Sequence, residues 1–178
     1  MIFAHDTKEA LRAAVWLANS ALEPETLETP GDLADFYSDF AYTGRLDADE
    51  AELAQVRAAR PVLHELLTAD RDAAVRRVNQ ILAEQRAVPR LVRHHGLDWH
   101  VHATSDDEPI AARVLVETAM AMIDVIRSDE LDRLSRCADD ECDGIVLDLS
   151  RNRSRRYCST ACGNRNAVAA YRARQADA

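Results

Sequence analysis

All four cysteines of the 178-residue chain lie near its C-terminal end, in two short pairs. Four residues separate Cys137 from Cys142, three separate Cys158 from Cys162, and fifteen lie between the pairs. Each pair offers two sulfur ligands from one tight turn, and a loop of this length lets both pairs reach the same ion. Four sulfurs at about 2.3 Å complete the tetrahedral shell of a structural zinc site. The sequence therefore predicts Zn²⁺ as cofactor and these four cysteines as its ligands.

The alternative for the cysteines is a pair of disulfide bonds or free thiols. The N-terminal segment has no basic stretch followed by a long apolar run, so no signal peptide is predicted. No apolar run approaches the ~18 residues that span a bilayer, so no membrane contact is predicted either. These features predict a cytoplasmic protein, and the reduced thiols of that compartment favour the metal over disulfides.

The motifs of common enzymes do not occur in this sequence. It contains no phosphate-binding glycine loop, no nucleophile elbow and no H-E-x-x-H helix. A zinc ion with four sulfur ligands also has no open position for a substrate. The sequence therefore predicts a protein that is not an enzyme.

Charge is unevenly distributed along the chain, whose formal net charge is −9. Residues 150–178 contain seven arginines and one acid, whereas residues 1–149 contain 15 basic and 30 acidic side chains. A basic tail on an acidic body points to an anionic partner for the tail. Alternatively, the tail docks onto the body, or some of its arginines neutralise the metal site, because four thiolates around Zn²⁺ carry a charge of about −2.

The elements that must position this tail are mainly helical. The composition, with 47% hydrophobic and 30% charged residues but only 5 Gly and 5 Pro, is typical of a folded helical domain. Apolar residues at helical spacing predict helices over residues 7–22, 31–43, 71–86 and 109–127. A further long helix begins after Asp47 or Asp49 and is bent or split at Pro61. Its Arg57 and Arg60 are expected to pair with acids of the body, or else to bind an anionic effector.

Alternation of apolar and polar residues over 88–104 predicts a short two-stranded hairpin that turns at His95 and Gly96. Trp99 in this segment is predicted to be a core residue, like Trp16 and the aromatic cluster at 36–40. The hairpin also carries His94, His95, His100 and His102. These histidines could hold a second metal or mark an enzymatic pocket, but exposed strand histidines without a ligand are the simpler interpretation.

Between the two cysteine pairs, residues 145–149 and 155–157 are predicted to form a second hairpin. Ser159 is a predicted N-cap for a helix from Thr160 to Arg174, which places Cys162 in the first helical turn. The positive end of the helix dipole favours a thiolate there. The predicted fold is therefore mainly α with a small β-hairpin, with a helical N-terminal domain over residues 1–136 and a treble-clef-like, four-cysteine zinc finger over residues 137–178.

The run DLSRNRSRRYCSTACGNR, from Asp148 to Arg165, resembles the CGNR zinc-finger family, named for the sequence that begins at Cys162. The upstream C-x4-C pair agrees with this family. Residues 1–136 resemble the helical domain that precedes the finger in bacterial proteins described as stress-induced transcription regulators. The first helix of that domain tends to carry an apolar-Asn-Thr signature, and Trp16 to Ser20 (WLANS) is the similar segment here, with Ser in place of Thr. The resemblance implies a transcription regulator that binds DNA through its finger.

The arginines and asparagines of the tail are suited to this role. Arg and Asn make bidentate contacts with guanine and adenine, and a helix of ~15 residues is long enough to lie in the major groove. Arginines on the segment before the helix would contact phosphates instead. The candidate DNA-binding residues are Asn164, Arg165 and Arg172 on the helix, and Arg151, Arg153, Arg155 and Arg156 before it.

Two alternatives stay open for the tail. Arg155, Arg156 or Arg165 could instead hydrogen-bond the sulfurs of the metal site. The whole finger could also be a zinc-stapled protein-interaction module that does not bind DNA directly. A single finger binds DNA weakly, so the sequence favours a homodimer, and the N-terminal domain is expected to act as an assembly domain or as a sensor for a small-molecule effector.

Overall fold

The computed structural model describes residues 3–93 and 98–176. The helices are α1 (His5–Asn19), α2 (Pro30–Asp39), α3 (Glu50–Thr68), α4 (Arg71–Glu84), α5 (Ile110–Arg127) and α6 (Thr160–Ala176). The strands are β1 (Arg90–Val92), β2 (His100–His102), β3 (Leu134–Arg136) and β4 (Ile145–Leu147), and a 3-10 turn spans Leu131–Arg133. The prediction of a mainly helical protein is confirmed, and the described residues contain two small antiparallel hairpins, β1–β2 and β3–β4. Among the described residues, none of the helices has the length and apolarity that crossing a bilayer requires.

The core is built around α5, which contacts α1, α3 and α4. Its apolar residues recur at helical spacing, and Val114 and Met122 are completely buried. Trp16 of α1 stacks on Phe36 of α2 with ring centroids 5.2 Å apart, which confirms their predicted place in the core. Burial of such large apolar side chains contributes about 1.5–3 kcal/mol each to folding.

The β1–β2 hairpin forms as predicted, but its outer face is exposed. Leu91 pairs with Val101 across the two strands. Trp99 is 63% exposed, so its predicted core position is wrong. Alternation identifies two faces of a ribbon but does not say which face meets the rest of the protein, and here the apolar face points outward. The predicted turn at His95 and Gly96 lies outside the described residues.

Pro61 does not split α3, which continues from Glu50 to Thr68. A proline in a helix removes the N–H that would bond the carbonyl four residues earlier. That carbonyl belongs to Arg57, and the side chain of Arg60 donates to it at 3.4 Å. Both arginines also contact one oxygen of Glu25 at 2.8 Å, so the predicted pairing with acids is confirmed.

Aspartate side chains cap the starts of two helices. Asp70 accepts a hydrogen bond from the N–H of Ala73 and caps α4. Of the two candidates for α3, it is Asp49 that caps the helix, by accepting from the N–H of Glu52. Such caps satisfy backbone donors that have no partner within the helix.

The strand partner of β4 differs from the prediction. β4 pairs antiparallel with β3, with Ser135 opposite Val146, whereas residues 155–157 form no strand. The predicted return strand is therefore wrong. Instead, a backbone bond joins this segment to the first cysteine pair, from the N–H of Ala138 to the carbonyl of Arg156 at 2.8 Å. Three residues are too short for an alternating pattern, which is why β3 was not predicted.

The β3–β4 hairpin packs into the main core. Ile145 and Leu147 are buried in the same apolar cluster as α1 and α3. The side chain of Asn19, at the end of α1, donates to the carbonyl of Ile145 at 2.9 Å and accepts from its N–H at 2.7 Å. This pair of bonds satisfies both backbone polar groups of a buried strand residue. Asn19 therefore fixes the position of β4, and of the tail that follows it, relative to α1.

A half-buried carboxylate, that of Glu117, lies on α5 near the loop after α2. Burial raises the pKa of Glu117 to about 7, Arg113 opposes this shift, and Asp106 adds to it. Tyr42 hydrogen-bonds Glu117, and burial raises the pKa of this tyrosine as well. The folded protein therefore holds a proton on Glu117 that the unfolded chain has already released at the same pH.

We predict that Asn19→Ala lowers the free energy of unfolding by about 1–3 kcal/mol, because it leaves the backbone groups of Ile145 buried without partners. Chemical denaturation of the reduced protein measures this change. Asn79→Ala is the matched control, since Asn79 is an exposed helical asparagine on α4. An unchanged denaturation midpoint for Asn19→Ala would contradict the role given to this side chain.

We predict that the Glu117→Gln variant gains stability relative to the wild type as pH rises from about 4.5 to 7, by about 1–3 kcal/mol. In the wild type, the folded state binds more protons than the unfolded state over this range, so its stability falls with rising pH. Glutamine has no proton to lose and removes this slope. Denaturation at several pH values tests it, with the exposed Glu84→Gln as control. Parallel pH profiles for the wild type and Glu117→Gln would contradict it.

Candidate metal centre

The sulfur atoms of Cys137, Cys142, Cys158 and Cys162 all lie within 4.8 Å of one another. Cys158 is 3.6 Å from Cys142 and 3.7 Å from Cys162, measured between sulfurs. A tetrahedron with metal–sulfur bonds of about 2.3 Å has edges of about 3.8 Å. The spacing of the sulfurs therefore fits the coordination shell of a single tetrahedral ion.

Backbone turns place the first pair of sulfurs. The N–H of Cys158 points at the sulfur of Cys137, and the N–H of Gly144 at that of Cys142, both at 3.4 Å. Such bonds stabilise the thiolate form that binds a metal. A side chain at Gly144 would put its Cβ 2.7 Å from the sulfur of Cys158, so only glycine allows this close approach.

The last ligand candidate lies in the first turn of α6. The hydroxyl of Ser159 accepts from the N–H of Cys162 at 3.3 Å, which confirms Ser159 as the predicted N-cap. The same hydroxyl also lies 3.4 Å from the sulfur of Cys162. The positive end of the helix therefore faces a sulfur that must be negative to bind a cation.

In the absence of a cation, the pKa values of two of the four thiols are raised. Burial raises the pKa of Cys158 well above its ordinary value, and hydrogen bonds with the neighbouring thiols raise it further. Burial and a bond with Cys162 also raise the pKa of Cys142, against the N–H of Gly144. A divalent cation among the sulfurs reverses this balance, because it neutralises the charges that repel one another.

Arg165 joins α6 to the turn between the first two cysteines. Its guanidinium contacts the carboxylate of Asp139 at 2.9 and 2.5 Å and the sulfur of Cys162 at 3.2 Å. Burial by itself raises the pKa of Asp139, but its bonds with Arg165 hold the pKa below the usual value. These contacts agree with the alternative interpretation of Arg165, in which its side chain hydrogen-bonds a sulfur and supports the metal site. Asp139 was missed because nothing in the sequence distinguishes it from its acidic neighbours.

Arg153 is also engaged by acids of the same chain. It contacts Glu130 at 2.6 Å and also pairs with Asp132. The neighbouring Arg133 is buried, contacts Glu130 at 2.6 Å, and donates to the carbonyl of Asp148 at 2.9 Å. These ion pairs hold the segment after β4 against the 3-10 turn that precedes β3.

Asp148 organises the segment that leads to the second cysteine pair. Its carboxylate accepts from the N–H of Ser150 at 2.8 Å and of Arg155 at 2.7 Å. The guanidinium of Arg155 then donates to the carbonyls of Tyr157 and Cys158 at 3.3 and 3.0 Å. A polar residue after a buried strand, followed by Ser and Asn, is the sequence signal for such a turn.

The remaining candidates for DNA contact lie at the surface. Arg151, Arg156, Asn164 and Arg172 are exposed, and the guanidinium of Arg156 lies 5.9 Å from the ring centre of Tyr157. Residues 167–175 of α6 are exposed on every side. Because α6 has 17 residues and is about 25 Å long, more than half of it projects beyond the metal site.

The histidine cluster forms only a pair in the described part of the chain. The Nε2 atoms of His100 and His102 lie 3.1 Å apart. His94 and His95 lie outside the described residues. Over residues 3–93 and 98–176, the cysteines form the one group of at least three metal-ligating side chains within reach of a common ion.

Comparison with known protein families agrees with this geometry. The family model described as CGNR zinc finger matches residues 133–175, which include all four cysteines. The ABATE family model, described as "Putative stress-induced transcription regulator", matches residues 11–129. Neither description is that of an enzyme, and among curated proteins none is significantly similar to the chain. Because the second match covers more than half of the sequence, the chain belongs to the ABATE family of putative stress-induced transcription regulators, and it ends in a CGNR zinc finger.

Proposed function

We propose that this protein is a DNA-binding regulator whose C-terminal finger is held together by one Zn²⁺. In this proposal Cys137, Cys142, Cys158 and Cys162 hold the ion. The ion supplies structural cross-linking and no chemistry, because four sulfurs leave no position for a substrate. The observation that carries the proposal is the tetrahedral spacing of the four sulfurs beside a projecting helix with exposed arginines.

The contacts within the chain divide the candidate DNA-binding residues into two groups. Arg153 and Arg165 are paired with acids, so we assign them to the support of the finger. Arg155 is bonded to backbone carbonyls and presents less of its guanidinium to a partner. We assign DNA contact to the exposed side chains, which are Arg151, Arg156, Asn164 and Arg172. Arginines on the loop suit phosphates, whereas Asn164 and Arg172 on α6 suit base edges.

The N-terminal part, residues 1–136, has an assembly or sensor role in this proposal. A single finger offers few contacts, so two copies on one DNA molecule would raise the effective concentration of the second finger. A small-molecule effector that binds the body would change the affinity only if it favours one seating of the finger over another. In this proposal the regulator acts in the cytoplasm of a bacterium, where thiols stay reduced and free to bind a metal.

A second candidate is a zinc-stapled protein-interaction module that does not bind DNA. The observation that favours it is the exposure of Val168 and Tyr171 on the projecting part of α6, at 47% and 58%. These two residues are three apart and therefore share a helix face. An apolar pair on a projecting helix suits a groove on a protein partner. Binding to random DNA distinguishes the two candidates.

We predict that Arg172→Ala weakens binding to a random-sequence DNA duplex and lowers the slope of log K against log salt by about 1. The reason is that one phosphate or base contact is lost while the metal site stays intact. Fluorescence anisotropy of the full chain over a salt series measures both quantities. Arg76→Ala, an exposed arginine on α4, is the control and is expected to match the wild type. A flat salt response of the wild type with its zinc bound would contradict DNA binding.

We predict that Arg165→Ala speeds the loss of zinc to a chelator by about 10- to 100-fold, because it removes the bonds to Asp139 and Cys162. A colorimetric zinc indicator follows the release. Arg172→Ala is the matched control from the same helix and is expected to release zinc at the wild-type rate. If Arg165→Ala also releases zinc at the wild-type rate but loses DNA affinity, Arg165 belongs to the DNA interface and not to the support of the metal.

A further inference from the structure

A cleft of about 730 Å³ lies where the body meets the tail, and we call it the junction cleft. One wall is formed by α1 and the residue after α2, through Arg12, Trp16 and Phe40. The opposite wall belongs to the segment from β4 to the third cysteine, and it includes Asp148, Arg155 and Cys158. The volume falls in the range of about 300–1,000 Å³ that is typical of small-molecule sites.

One side of the junction cleft is apolar and aromatic. Trp16 and Phe40 lie with ring centroids 6.1 Å apart and planes inclined by 60°. Ile145, Leu147 and Leu149 face them from the β4 segment. This side of the cleft suits the flat apolar part of a ligand, because aromatic rings contribute large contact areas with defined orientation.

The charged groups of the junction cleft favour an anion. Arg12 and Arg155 are two cations in the lining, against the carboxylate of Asp148. That carboxylate is directed at backbone N–H groups, and this leaves little of its charge for a ligand. Arg12 pairs with Glu9 at the exposed edge, and exposed pairs of this kind contribute little and exchange readily. The positive charge of these two arginines, beside a body of net charge −15 over residues 1–149, therefore points to a negatively charged ligand.

Hydrogen bonds to the backbone fix the orientation of the Arg155 guanidinium. Its Nε and one terminal nitrogen donate to the carbonyls of Tyr157 and Cys158, and these bonds hold the plane of the guanidinium. The other terminal nitrogen takes no part in these two bonds, so it can donate a charge-assisted hydrogen bond to an anion. The hydroxyls of Ser150 and Ser154 lie in the same wall and can donate further hydrogen bonds.

From these features, we infer that the junction cleft is a binding site for a small organic anion, of the class of aromatic carboxylates. In it, the carboxylate faces Arg12 and Arg155, and the ring lies against Trp16 and Phe40. The two walls come from the body and from the tail, so the ligand favours the arrangement in which β4 is seated on Asn19. The ligand is then the small-molecule effector of the proposed function. Any regulatory effect of the ligand rests on that function, whereas its binding to the cleft does not require DNA.

A fluorescence titration tests the inference on the full-length, zinc-loaded protein. The chain has two tryptophans, and Trp99 is exposed, so Trp99→Phe leaves Trp16 as the sole reporter in the cleft. The probes are 2-naphthoate and its neutral analogue 2-naphthamide, and binding is confirmed by calorimetry. A ligand of this size is expected to bind with a Kd of about 1 mM or tighter, and the neutral analogue about 10-fold more weakly.

The arginine variants show whether the anion lies in this cleft. Arg12→Met keeps the apolar stem of the side chain and is expected to weaken 2-naphthoate binding about 10-fold without changing the binding of 2-naphthamide. Arg76→Met on α4 is the matched control and is expected to bind both probes like the wild type. Arg155→Met is a second test from the opposite wall, with the same expected loss.

The inference is overturned by any of three results. These are no calorimetric binding of 2-naphthoate at about 10 mM, equal affinity for the charged and neutral probes, or unchanged affinity in both arginine variants. Failure of DNA binding with intact 2-naphthoate binding would overturn the proposed function and leave the site. Absence of 2-naphthoate binding with intact DNA binding would overturn the binding site in the junction cleft and leave the proposed function.

Discussion

The structure of the tail depends on the close approach of four sulfur atoms. Four thiols within 4.8 Å of one another cannot all ionise unless a cation lies among them, and burial raises the pKa of Cys158 further. The surrounding groups favour ionisation at particular sulfurs, through the N–H groups of Cys158 and Gly144, the start of α6, and Arg165. A metal ion held by these sulfurs would therefore stabilise the fold of the tail, and that fold would in turn stabilise the bound ion, as in other small metal-bound modules.

The tail is connected to the helical body by more than the chain itself. β4 lies between the two cysteine pairs, yet Ile145 and Leu147 belong to the core that α1 and α3 share. Asn19 bonds both backbone polar groups of Ile145. A change in the seating of β4 would therefore change the orientation of α6, and the ligand proposed for the junction cleft would contact both sides of this joint. This arrangement provides a physical route from the body to the proposed DNA-contacting helix.

The local features of the fold were accessible from the sequence. Ligand spacing, the Ser159 cap and the helical periodicity of α5 depend on residues close together in the chain, so their patterns are visible in it. The family resemblance of the WLANS segment drew attention to Asn19 as well. It did not indicate what the side chain of Asn19 does. That role requires contact with Ile145, 126 residues away, and no periodicity encodes such a distance.

The errors have related causes. The three-residue strand β3 is too short to show alternation, so β4 was given the wrong partner. Trp99 was assigned to the core because alternation defines a face but not what covers it. The ion pairs of Arg153 and Arg165 were also not visible in the sequence, because their acidic partners Glu130, Asp132 and Asp139 come into reach only when the chain folds.

The most direct test of the account is X-ray absorption at the zinc edge of the full-length protein, purified under reducing conditions. We predict one zinc per chain with four sulfur neighbours at about 2.3 Å and no nitrogen or oxygen ligand. A spectrum with fewer than four sulfurs, or a protein without bound zinc, would contradict the claim that a single ion holds both cysteine pairs and orients α6.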